Sequence, residues 1–172
     1  MPLRIDDPTI PDDEKLWRRI LEGWLHKEPN GVVRPSSVAF IDRLSGEVSV
    51  NLGSETTPTH VLRHYPDDSL AEVRATVPRG LGHSIVRDQI VNDSKIGNDP
   101  SHALVCPPPT RTTNQRKSDA RKMAGAAKLI VLRDPAVKRQ SQSNIKEKSA
   151  ASSRLFRLWI GMKSFAKKWS AD

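Results

Sequence analysis

Two short stretches hold the side chains best suited to chemistry. Arg34-Pro35-Ser36-Ser37 sets a guanidinium fork and two hydroxyls close together, a combination that grips phosphate or carboxylate through charge-assisted hydrogen bonds. Asn98-Asp99-Pro100-Ser101 is a polar turn, closed by proline, that runs into His102 and the apolar Ala103-Leu104-Val105-Cys106. A histidine at the mouth of a buried strand can serve as acid, base or hydrogen-bond donor. Brought together, Arg34, Ser36, Ser37 and His102 would suit transfer or hydrolysis of a phosphate-containing ligand. Arg34, Ser37, Arg87, Asp99 and His102 are the expected ligand-binding set. The plainer alternative has His102 simply opening a strand, Arg34 paired with Asp99 or Asp88, and the serines closing a turn.

Other constellations are weaker. His60 and His64 lie four apart on an expected helix, so both could face one metal ion, but no nearby residues complete a ligand set. No metal or cofactor is expected. Gly80-x-Gly82 lacks the third glycine of a phosphate-cradling loop and reads as a turn. The single cysteine, Cys106, excludes an internal disulfide and any multi-cysteine zinc site. Its apolar neighbours suggest a buried, inert thiol.

The elements that must position these groups follow from periodicity. Leu16, Trp17, Ile20 and Trp24 recur at helical spacing, so a short helix is expected through Glu14–Leu21, after a loosely held acidic leader over residues 1–14. Arg34 to Phe40 reads as an irregular, strand-like segment, since proline disfavours helix at the residue before it. Glu47 to Leu52 alternates polar and apolar, the mark of a half-buried strand. Thr57-Pro58 opens a helix that carries Val61, Leu62 and Tyr65. Leu70 to Val77 alternates again, Pro78 to Gly82 turns, and Ile85-Val86 forms a short strand. The His102 strand ends at Pro107-Pro108-Pro109; Ser118–Lys128 is an alanine-rich helix and Leu129 to Leu132 a closing strand.

Aromatic residues make up only 5% of the chain, so its core must rest on Val, Leu, Ile and Ala. The net charge of +8 is unevenly placed: acidic side chains outnumber basic ones before residue 110, and basic ones dominate after it. A cationic end on an acidic body suits a polyanion, either nucleic acid or an anionic surface. There is no Phe, Tyr or Trp between Pro66 and Leu155, which argues against a base-stacking platform within the domain. Residues 136–153 are polar and aperiodic and read as a flexible linker. Over residues 154–170, Leu155, Leu158, Trp159, Met162, Phe165 and Trp169 share one helical face, and Arg154, Arg157, Lys163, Lys167 and Lys168 lie outside it. That is a basic amphipathic helix, fit for an anionic surface, a groove on a partner, or the chain's own core. The start of the chain lacks the pattern of a signal peptide, and no apolar run approaches the roughly 20 residues that span a bilayer. A cytoplasmic location is the expectation.

Taken in order, Leu16-Trp17-Arg18-Arg19-Ile20, Arg34-Pro35-Ser36-Ser37-Val38-Ala39-Phe40, Ser49-Val50-Asn51-Leu52, Val86-Arg87-Asp88 and Asn98 to Val105 resemble a set of short uncharacterised bacterial proteins. The resemblance spans about residues 16–132 and implies domain limits without implying chemistry. The expected architecture is one α+β domain over 12–135, with a short sheet and packed helices, followed by the linker and the tail helix. The expected function is a non-enzymatic binding or adaptor protein that docks on a protein partner or polyanionic surface through Arg154, Arg157, Trp159, Lys163, Lys167, Lys168 and Trp169. The alternatives are the phosphate-directed transferase or hydrolase described above and a nucleic-acid-binding protein.

Overall fold

The computed structural model describes residues 4–41 and 46–133. The expected linker and tail helix lie outside the described residues. In chain order the elements are β1 (Lys15–Ile20), β2 (Leu25–Lys27), β3 (Val33–Pro35), β4 (Val48–Leu52), α1 (Pro58–Leu62), β5 (Ser69–Arg74), α2 (Thr76–Gly80), β6 (Ser84–Arg87), β7 (Ile90–Asp93), β8 (Gly97–Asp99), β9 (His102–Cys106), α3 (Thr113–Ala126) and β10 (Lys128–Val131). Six strands form one antiparallel sheet in the order β10-β5-β1-β4-β9-β6; β2–β3 and β7–β8 are separate two-stranded ribbons. The fold is α+β, as expected.

Alternation along the strands decides which face is sealed. Leu16 and Ile20 of β1, Val48, Val50 and Leu52 of β4, Ala71 and Val73 of β5, Ile85 of β6 and Ala103 and Val105 of β9 all join one core. The helix α3 closes it with Ala120, Met123 and Ala124, beside Ala39 and Phe40 of a 3-10 turn over Ser37–Phe40. Thr112 caps α3 through a capping box with Gln115, which satisfies end groups that the first turn leaves free. On the opposite face Trp17, Leu62 and Leu70 form a small apolar cluster. Beyond it, that face turns polar.

Several elements differ from their sequence-based expectations. Lys15–Ile20 is a strand, not a helix: a spacing of four fits both periods, and Leu16 and Ile20 share the core face while Trp17 faces the other way. Glu14, expected to open that helix, instead uses its carboxylate to accept from Ser54 N at 3.0 Å and Ser54 Oγ at 2.7 Å. The acidic leader is tied down, with Ile10 1% exposed in the core, Asp7 N donating to the Ile85 carbonyl, and Arg79 donating to Asp6 and Asp12. The strand from Leu70 stops at Arg74, and Thr76–Gly80 is helical rather than a continuing strand and turn. Pro78 fits there because an amide missing from a first helical turn costs no hydrogen bond. The helix α1 ends at Leu62, short of Tyr65, and α3 begins five residues before Ser118.

Candidate functional site

The polar half of the second sheet face is built by cross-strand register. β4 and β9 pair with Asn51 opposite His102 and Ser49 opposite Leu104. Val48, Val50 and Leu52 point into the core, so Ser49 and Asn51 must point away from it, onto the same face as His102. β1 and β4 pair only at Leu16–Leu52 and Trp17–Asn51. Past that point the Arg18 guanidinium takes the place of the ladder, donating to the carbonyls of Ser49 at 2.8 Å and Ala39 at 2.9 Å.

A cleft of about 180 Å3 opens over this surface. Ser49, Asn51 and His102 line it from the sheet, Arg63 and Tyr65 from the segment after α1, and Ile96 from the β7–β8 ribbon. His102 has both ring nitrogens engaged. Nδ1 lies 2.6 Å from the Asp88 carbonyl oxygen and 3.4 Å from its carboxylate, while Nε2 lies 3.0 Å from Ser49 Oγ. A carbonyl oxygen only accepts, so the proton of the neutral ring sits on Nδ1 and the Nε2 lone pair faces the serine hydroxyl.

Beside it, Asp99 organises the turn that delivers His102. Its carboxylate accepts from Ser101 Oγ at 2.6 Å, Ser101 N at 3.1 Å and Asn51 Nδ2 at 2.8 Å. Burial opposes its ionisation, but the hydrogen bonds from Ser101 and Asn51 outweigh that, and the carboxyl sits below its ordinary range. Asn51 also donates to Ser101 Oγ at 2.9 Å, so its amide is committed to the scaffold.

Besides Arg18, two arginines line the cleft. Arg19 stacks on the Tyr65 ring, 3.3 Å from its centroid, and lies 3.6 Å from Asp68. Arg63 is exposed and donates to His64 Nε2 at 2.7 Å, to the His60 ring and to the Ile96 carbonyl. Those acceptors carry no negative charge, and no carboxylate pairs with Arg63 among the described residues.

The groups singled out in sequence scatter. Arg34 lies on the small ribbon and pairs with Glu28 at 3.0 Å, not with Asp99 or Asp88. The Ser36 amide donates to the Trp24 carbonyl at 2.7 Å, and Ser37 lines a groove against Arg116, Lys117 and Arg121 on the α3 side. The structure therefore does not bring Arg34, Ser36 or Ser37 to His102. Arg87 pairs with Asp7 at 3.4 Å and Glu55 at 2.5 Å. Only Asp99 and His102 of the expected set meet in the cleft. His60 and His64 hold the Arg63 guanidinium between them, and no group of three or more metal-ligating side chains occurs among the described residues. Cys106 is buried; desolvation, then the nearby Glu47 carboxylate, push its thiol up to about 12, which leaves it inert at neutral pH.

Sequence reasoning missed Ser49 and Asp88. The signal was present for Ser49, a polar position of an alternating strand, but its meeting with His102 depends on which strand pairs with which. The residues 154–169 proposed for tail contacts lie outside the described residues. No helix among the described residues is long and apolar enough to cross a membrane. Comparison with protein-family models, curated proteins and solved structures finds no match to this chain.

Proposed function

We propose that this protein is a binding module for a small phosphate-bearing ligand, seated in the cleft over His102. Its basic carboxy-terminal segment docks it on a protein partner or polyanionic surface. The observation that carries the reading is the convergence on one cleft of Ser49, His102 and Arg63, which no carboxylate pairs among the described residues. A guanidinium with no carboxylate partner among the described residues suits an anion. Size narrows the class. Drug-sized ligands occupy roughly 300–1,000 Å3, whereas about 180 Å3 takes one phosphate group or a small phosphorylated molecule.

Titration of the full chain with inorganic phosphate, followed by the ring resonances of His102, tests the cleft. Saturable shifts are expected, and Arg63→Ala should weaken binding by about tenfold to a hundredfold, the value of a hydrogen bond to a charged group. Phosphate that leaves His102 unperturbed removes the reading. Replacing Lys163, Lys167 and Lys168 together by Glu tests docking: binding to anionic vesicles, duplex DNA or RNA should fall, and the target that responds identifies the surface.

A further inference from the structure

We infer that Ser49 is a nucleophile activated by His102, and that the cleft hydrolyses phosphomonoesters; this rests on the cleft being the phosphate site proposed above. The geometry supplies the parts that covalent catalysis by serine requires: a hydroxyl within hydrogen-bond reach of a base, and a third group that orients the base. Ser49 Oγ is 3.0 Å from His102 Nε2. The Asp88 carbonyl fixes the tautomer from the far side of the ring at 2.6 Å, and the Asp88 carboxylate at 3.4 Å lies where it would stabilise an imidazolium. Ser49 and His102 stand on adjacent paired strands, so their separation is set by the sheet rather than by a loop.

A serine–histidine hydrogen bond is also an ordinary cross-strand contact. What distinguishes this one is its opening. The pair lines a cleft with a cation on its rim, while the Cys106 thiol is buried.

The reaction is a two-step displacement at phosphorus. Ser49 Oγ attacks as its proton passes to His102 Nε2, and the bond from phosphorus to the leaving oxygen breaks. The imidazolium returns that proton to the departing alkoxide, releasing an alcohol and leaving phosphoserine. Water then attacks the phosphorus, giving its proton to Nε2. The phosphorus–Oγ bond breaks, and Oγ recovers the proton. The sum is phosphomonoester plus water giving alcohol plus inorganic phosphate. Arg63 supplies the positive charge that the phosphoryl oxygens need in transfer.

The test incubates the full chain with 4-nitrophenyl phosphate and, separately, 4-nitrophenyl acetate, and measures inorganic phosphate binding on the same samples. Folding of each variant is checked by circular dichroism. Nitrophenolate release from the phosphate ester is expected, lost in Ser49→Ala and reduced about a hundredfold to ten-thousandfold in His102→Gln. Phosphate binding without turnover, or turnover undiminished in Ser49→Ala, overturns the nucleophile and leaves the binding module standing. Cleavage of the acetate alone overturns the phosphoryl assignment. Absence of both binding and turnover removes the inference and the reading beneath it.

Discussion

Two histidines, one on each side of the central sheet, each face an aspartate, and their surroundings could hardly differ more. On the α3 side, His83 Nε2 lies 3.1 Å from Asp119, and the two side chains are 4% and 5% exposed. His83 Nδ1 has no hydrogen-bond partner among the described residues, and Arg111 Nε lies 3.3 Å from the same carboxylate. Burial, against the pull of Asp119, holds the His83 pKa below its ordinary value, with Arg111 adding to the depression. On the other side, His102 has partners on both nitrogens and shares a cleft, and its Asp88 side chain is 45% exposed. The same residue pair is sealed against a helix on one side and opens on a cleft on the other. Packing around the pair, not its chemistry, sets its exposure.

That contrast breaks most visibly in the core. Met123→Ala on the sealed face should cost about 2–5 kcal/mol, the range for deleting a large buried side chain, because Met123 is 2% exposed beneath the sheet. Denaturant unfolding measures it. A loss under about 1 kcal/mol would mean that α3 does not close this core. Asp119→Ala comes next, at about 1–3 kcal/mol, since it leaves the buried His83 Nε2 without its acceptor and the Arg111 guanidinium without its ion-pair partner.

The same cluster carries a pH signature. His83 has a folded pKa below the ordinary 6.5, so the unfolded chain binds its proton first. Stability from this group is complete above about pH 6.5 and is lost as pH falls from there through the folded pKa. The melting temperature should therefore drop on mild acidification, and His83→Gln should flatten that part of the profile. An unchanged slope in the variant assigns the effect to other groups.

Much of the sheet was legible in the sequence, and little of the site was. The alternation of Val48, Val50 and Leu52 could only be a half-buried strand, and Thr57 before Pro58 caps a helix by accepting from the His60 amide. Lys15–Ile20 misled because residues four apart share a face in both a helix and a strand, and only the neighbours β4 and β5 settle which. Arg34, Ser36 and Ser37 are close in sequence but look toward Glu28 and α3. Proximity along the chain says nothing about which side of a sheet a segment covers. Ser49 reaches His102 across 53 positions of sequence, through a register that no local pattern encodes.

The polar face should yield smaller effects, and these sharpen the contrast. Asp99→Asn keeps an acceptor for Ser101 but removes the charge, and a loss of about 1 kcal/mol is expected. Its pKa lies below the ordinary 3.8, so its contribution is complete above about pH 3.8 and fades as pH falls through the folded value. In Asp99→Asn that fading should vanish from the acid end of the unfolding curve, well separated from the His83 region.

Ser49→Ala should have the smallest effect on stability, within about 1 kcal/mol. The hydroxyl it removes is half-buried, and the His102 Nε2 left behind opens on a cleft where water can replace the serine. A hydroxyl retained for stability would behave otherwise: its loss would leave a buried nitrogen unsatisfied and cost more. Thermal unfolding of Ser49→Ala, read beside its phosphate turnover, separates the two cases on one protein. Near-native stability with lost turnover identifies a group kept for chemistry. A loss comparable to that of Asp119→Ala would place Ser49 with the sealed pair on the far face, and the two sides of the sheet would then differ in exposure alone.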